Sequence, residues 1–137
     1  MTEAEKIAAS VRQRLKNLTG TADFQTMLVL YALERLLYRL GRSPYQTKFV
    51  LKGALLFNIW LERPWRSTRD ADLLGFGENT PERIVAIFRE LCALPVPADG
   101  LEFIADSVTS SIIKPDPHYK RHSRDGGRSY RKRWSKW

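Results

Sequence analysis

Asp70-Ala71-Asp72-Leu73-Leu74-Gly75, with Lys52-Gly53-Ala54 upstream, is the stretch on which the fold of this chain turns. In an extended strand alternate side chains share a face, so Asp70 and Asp72 project together while Ala71 projects to the other side. Two neighbouring carboxylates repel unless a cation lies between them, and a divalent metal ion is the usual solution. Leu73 and Leu74 would anchor the strand in a core and leave its acidic end at the rim. That arrangement suits metal-dependent phosphoryl or nucleotidyl transfer. An isolated Asp-x-Asp is more often a solvated turn, so the weight rests on its surroundings.

Upstream, Phe49-Val50-Leu51 reads as a short apolar strand ending at Lys52-Gly53-Ala54. A glycine directly after a strand lets the backbone approach a phosphate, and a following helix offers free amides and the positive end of its dipole. The same three residues also fit a plain strand-to-helix turn. Arg66-Ser67-Thr68-Arg69 leads into the acidic pair. Arg69 is the arginine favoured for a triphosphate contact, although as the neighbour of Asp70 it starts on the opposite face and must reach around the edge. Arg66 is left between a phosphate contact and a solvated loop.

Around this centre the pattern predicts helices. Thr2-Glu3-Ala4-Glu5 is a capping box that opens a helix to about Leu18, with Ile7, Val11, Leu15 and Leu18 on one stripe. A second helix is expected from about Ala22 to Leu40, with Phe24, Met27, Leu28, Tyr31, Leu36 and Leu40 as its apolar set and Gly41 as its cap. A third should carry Leu55, Leu56, Ile59 and Trp60. Thr80-Pro81 starts a fourth, which Pro95 and Pro97 prevent from running past about Ala93. Leu101–Val108 and Thr109–Ile113 read as strands. The sum is an α+β domain, a small mixed β-sheet with packed helices. A core is expected over 1–117, with N-terminal helices over 3–40 and the motif region over 48–77.

The chain has 137 residues and a net charge of +8, unevenly spread. Residues 118–137 hold eight Lys/Arg against Asp125, whereas 1–117 hold 15 basic and 14 acidic residues. This basic segment lacks strand or helix periodicity and is expected to be a disordered tail. Cys92 is the sole cysteine, which excludes an intrachain disulfide, and on the apolar side of its helix it reads as a buried inert thiol. His118 and His122 both lie in the tail, so no Cys/His metal cluster is visible. No apolar run approaches the roughly 20 residues of a membrane span, and the N-terminus has no apolar signal core, so a cytoplasmic location is expected.

Phe49-Val-Leu-Lys-Gly-Ala-Leu-Leu, Trp60-Leu and Arg66-Ser-Thr-Arg-Asp-Ala-Asp-Leu-Leu-Gly-Phe-Gly together resemble the nucleotidyltransferase toxins of the AbiEii/AbiGii group. These are the toxin halves of type IV toxin–antitoxin and abortive-infection systems, within the polymerase-β-like superfamily, and the resemblance spans about Ala22 to Ile113. It implies a nucleotidyltransferase-like core in which Lys52, Gly53, Ala54 and Arg69 position a nucleoside triphosphate. It also implies that Asp70 and Asp72 are catalytic carboxylates holding Mg²⁺ or Mn²⁺. The implied reaction moves a nucleoside monophosphate to an RNA acceptor, with tRNA expected, and a cognate antitoxin is an implied partner. Superfamily members often carry Ser where this chain has Ala54. They also take a third carboxylate from a later core strand. Glu102 and Asp106 share a strand face, but neither is expected to replace it. The fold is thus expected to be incomplete at the C-terminus, with the tail read as the product of a frame change or early stop and activity possible only if two carboxylates suffice.

Two further readings stand beside this one. In the first, the chain is a non-catalytic nucleic-acid-binding protein whose basic, aromatic tail supplies affinity through phosphate contacts and stacking. In the second it is an inert remnant with an exposed sheet edge.

Overall fold

The computed structural model describes residues 1–20, 23–53, 55, 70–112 and 129–131. Their order is α1 (Glu3–Thr19), α2 (Phe24–Arg42), β1 (Phe49–Lys52), β2 (Asp72–Gly75), α3 (Pro81–Ala93), a 3-10 turn (Ala105–Ser107) and β3 (Ser129–Arg131). The class is α+β. The three described strands lie in the order β1-β2-β3, and both pairings are antiparallel rather than mixed.

The helix starts follow their caps. Thr2 closes the expected capping box: its hydroxyl accepts from the Glu5 amide at 3.2 Å, and its own amide donates to Glu5 Oε2 at 2.6 Å. Thr80 caps α3 through the Arg83 amide, with Pro81 in the first turn. Helix α2 departs from expectation at both ends. Asp23 caps its start by accepting from the Gln25 amide. Gly41 lies inside the helix rather than capping it. Ser43 ends the helix instead, its hydroxyl donating to the Leu40 carbonyl at 2.7 Å and accepting from the Tyr45 amide at 3.1 Å.

The core divides along α2. Val29 and Leu33 pack with Leu55 and Ala71, and Leu36 and Leu40 pack with Ile84, Ile87, Phe88 and Leu91 of α3 and with Val108. This buried stripe at helical spacing includes Val29, Ala32 and Leu33, which the expected apolar set omitted. The helix is apolar around much of its circumference, so periodicity alone did not single out the side facing the sheet. Leu18 of α1, expected in the core, is 73% exposed, and Leu15 is the helix's buried residue.

Leu101–Val108 is not a strand. Burial alternates from Leu101 to Asp106, as the sequence pattern implies, but the segment pairs with no described strand and turns through Ala105–Ser107. Alternation reports an extended chain lying on a core, not a ladder. Val108 ends the segment almost fully buried beneath α3. Thr109–Ile112 also has no strand assignment, and Ile113 lies outside the described residues. Ser129–Arg131, expected within a disordered tail, instead forms β3 on the open edge of β2. An unpaired edge presents free backbone N–H and C=O groups that any extended segment can satisfy. The rest of 118–137 lies outside the described residues, as does the helix expected beyond Leu55.

Candidate functional site

The acidic motif is held from beneath. Ala71 is 8% exposed in the cluster with Val29, Leu33 and Leu55, whereas Asp70 and Asp72 on either side are half-exposed. The expected alternation therefore holds, with the alanine seated on α2 and the carboxylates flanking it outward. Leu73 packs towards Phe88 and Leu36 on the helix side of the sheet. The ladder itself starts at Asp72 rather than Asp70. Lys52, the last residue of β1, is the register partner of Asp72, and the chain then turns away at Gly53, so Ala71 and Asp70 have no β1 partner.

Gly53 and Asp72 share one space. Gly53 has φ +80°, a left-handed conformation that side chains with a Cβ resist. A Cβ built there would overlap Asp72 Oδ2 and lie 3.2 Å from its Cγ. The missing side chain is thus the cradle in which the carboxylate sits. Lys52, Gly53 and Asp72, deduced separately from sequence, are brought together at one end of the β1–β2 ladder, with Asp70 one buried residue further along the same chain. Ala54, Arg66 and Arg69 lie outside the described residues.

The far end of the ladder is locked by Lys48. Its ammonium donates to the carbonyls of Phe76 at 2.8 Å and Glu78 at 2.9 Å, and the Phe76 amide donates to the Lys48 carbonyl at 2.7 Å. Asn79 adds a bond to the Gly75 carbonyl at 2.7 Å. These contacts fix β2 at its C-terminal end and leave the acidic end at the rim.

The sequence reading passed over a buried ionic cluster. Asp99 accepts from Arg39 Nη1 and Arg35 Nε, each at 2.8 Å, and from the Leu101 amide at 3.2 Å. Tyr31 donates to the Asp99 carbonyl at 2.7 Å. Burial alone would raise the Asp99 carboxyl, but the two guanidiniums and the amide hold it below the usual carboxylate range. Arg39 is 4% exposed and lies over the Phe103 ring at 4.6 Å. Gly100 follows with φ +78°, and a Cβ there would stand 3.1 Å from Ala8 Cα of α1. The cluster ties the segment after α3 to α2 and brings α1 against it. Its signal was available in sequence: arginines four apart on an apolar helix need an acid, and Asp99 is the acid of the Pro97–Gly100 turn.

The donor set at the rim is two carboxylates. Among the described residues no three His, Cys, Asp or Glu side chains form a metal-holding group, so neither Glu102 nor Asp106 joins Asp70 and Asp72. Both are exposed, and Asp106 lies in the turn under α3. Two carboxylates nonetheless suit Mg²⁺, which keeps several waters and takes its remaining ligands from substrate phosphates.

A family model described as Nucleotidyl transferase AbiEii toxin, Type IV TA system, matches residues 35–131. No curated protein and no solved structure matches the chain. The matched region starts within α2, takes in Gly53, the acidic pair, α3 and Asp99, and ends on the last residue of β3, past residue 117 where the sequence reading placed the core boundary. Covering most of the chain, it shows that this protein belongs to the AbiEii family of nucleotidyl transferase toxins of type IV toxin–antitoxin systems.

Proposed function

We propose that the chain transfers a nucleoside monophosphate from a nucleoside triphosphate to an RNA hydroxyl, with tRNA as the acceptor class. The observation that carries this reading is the shared space of Gly53 and Asp72. A glycine turn that receives the first carboxylate of a strand, with a second carboxylate two residues earlier in the chain, brings a phosphate-approaching backbone and a cation-binding acid to one point.

Asp70 and Asp72 would hold Mg²⁺ or Mn²⁺, with the Asp72 carboxylate seated in the room left by the absent Gly53 side chain. When bound, the ion neutralises the triphosphate and lowers the pKa of the attacking hydroxyl. The chain's own work is placement. Gly53 lets the backbone come close to the phosphates, Lys52 and Arg69 offer positive charge, and Ala54 starts the segment after the turn. The acceptor oxygen bonds to the α-phosphorus as the bond to the β-phosphate oxygen breaks. Pyrophosphate leaves, and the acceptor proton passes to solvent. Rigid support from Ala71 and the Lys48 lock keeps Asp72 in position without reorganisation.

As a toxin-family member the chain is proposed to have a cognate antitoxin and to act in the cytoplasm. Among the described residues no helix is long and apolar enough to cross a membrane. The test is pyrophosphate release from each of the four nucleoside triphosphates with total RNA and Mg²⁺. Release that requires both RNA and metal supports the reading. RNA binding without release, unchanged in Asp70→Asn, would instead support a binding role for the basic tail.

A further inference from the structure

The β1–β2 ladder has one face against the helices and one turned away from them. Phe49, Leu51 and Leu73 pack towards α2 and α3. The alternate positions project to the other side. On that side Lys52 is paired with Asp72 and Val50 with Leu74. The Phe76 amide, donating to the Lys48 carbonyl at 2.7 Å, extends the same register by one more pair just past β2.

The outward face of a half-covered antiparallel sheet is ordinarily polar. Here its middle is apolar. Val50 is 46% exposed and Phe76 is 52% exposed, with Leu74 half-buried on the strand between Asp72 and Phe76. The other exposed large apolar side chains among the described residues, Met1, Leu18, Ile104 and Ile112, lie outside the sheet. Phe76 holds the strand end through its backbone, whose carbonyl also accepts from the Lys48 ammonium, so the ladder does not need its ring.

The apolar positions continue directly from the acidic motif. Along the extended chain Leu74 follows Asp72 by about 7 Å and Phe76 follows it by about 13 Å. A triphosphate held at the Gly53–Asp72 end has its base one sugar away, a span of about two to four strand residues. In the other direction the same face leads to Asp70, an acid that offers a base nothing to stack on. Three side chains present far less than the roughly 1,000 Å² that a stable interface with a second copy needs, but they match one flat heterocycle.

We propose that Val50, Leu74 and Phe76 form a platform on which the base of the nucleoside triphosphate stacks while its phosphates lie at Gly53 and Asp72. The proposal rests on the reading of that end as a triphosphate site and adds the residues that hold the nucleoside. Stacking on apolar and aromatic side chains responds to the area of the base rather than to its hydrogen-bonding edge, so the platform favours purines over pyrimidines.

Calorimetric titration of the full chain in MgCl₂, without RNA, tests this with ATP, CTP and inorganic tripolyphosphate as ligands. ATP should bind about tenfold more tightly than tripolyphosphate, with CTP between them. Phe76→Ala and Val50→Thr should each remove much of that gain and leave tripolyphosphate affinity within about twofold of the parent. Leu18→Ser, at an exposed apolar position outside the sheet, should leave all three affinities unchanged. Equal affinities of the parent for ATP and tripolyphosphate, tighter binding of CTP than of ATP, or a gain that survives both substitutions would overturn the platform and leave the triphosphate site standing. A folded parent that binds neither ATP nor tripolyphosphate would overturn both readings. Sedimentation of the same samples supplies the remaining check: a parent dimer that Phe76→Ala dissociates would assign the face to a second copy and overturn the proposal.

Discussion

Replacing Gly53 by alanine strikes the point where the glycine turn and the acid meet. At φ +80° an alanine costs about 1–2 kcal/mol in backbone conformation alone. Its Cβ would overlap Asp72 Oδ2 and crowd the Asp72 Cβ at 3.3 Å, so the carboxylate must leave its rotamer for about a further 0.5–1.5 kcal/mol. The expected loss is about 2–3 kcal/mol, short of the roughly 5–15 kcal/mol that holds a typical domain together, so the variant should still fold. At roughly 3 °C per kcal/mol for a chain of this size, Tm should fall by about 6–9 °C. Because the displaced group is a proposed metal ligand, Mn²⁺ affinity should drop by about tenfold or more. Gly41→Ala is the internal control. Gly41 is helical, and a Cβ there meets nothing within 4 Å, so this variant should gain up to about 1 kcal/mol with metal binding unchanged. Calorimetric melting and Mn²⁺ titration of both variants decide the matter. A Gly53→Ala protein that melts and binds Mn²⁺ like the parent would refute the shared-space argument.

The buried cluster and the core make their own predictions. Asp99→Asn leaves two guanidiniums without their carboxylate and should cost about 3 kcal/mol, read by urea denaturation. Because the Asp99 carboxyl is held low in the folded chain, its stabilisation is complete above the unfolded carboxylate range and is lost as pH falls through the folded value. The parent should therefore lose stability on acidification more steeply than Asp99→Asn; parallel acid limbs would contradict the assignment. Ile87→Ala, at a fully buried position of α3, should cost about 2–5 kcal/mol, whereas Leu18→Ser at an exposed one should change stability by no more than about 0.5 kcal/mol. Equal costs for the two would mean that α1 packs differently from the structure described.

What sequence revealed and what it hid follow from the range of the forces involved. Caps at Thr2 and Thr80 are local interactions, so their residues name their own partners. The in-and-out alternation of Asp70, Ala71 and Asp72 is likewise a property of the extended backbone, and burial follows it. The joining of Gly53 to Asp72 was legible only as two separate motifs, because contact between them depends on strand register. The end of α2 went astray because a glycine one residue before the helix terminus looks like a cap, while the serine hydroxyl two residues on makes the cap. Long-range choices were hidden. Nothing in the alternation of Leu101–Asp106 says whether a partner strand exists. Nor does the composition of 118–137 reveal that Ser129–Arg131 meets the edge of β2. The Arg35–Arg39 spacing called for an acid, but which acid answers it was hidden, because Asp99 lies 64 and 60 residues from these partners.

Asp70 and Asp72 are proposed to serve nucleotidyl transfer. The most direct measurement is label transfer from each α-³²P nucleoside triphosphate to total tRNA with Mg²⁺, comparing the intact chain with Asp70→Asn and Asp72→Asn. Label from the intact chain should appear and should disappear with chelator and in either variant. Label that persists in both variants, or a folded intact chain that transfers none to tRNA from any of the four nucleotides, would contradict this role.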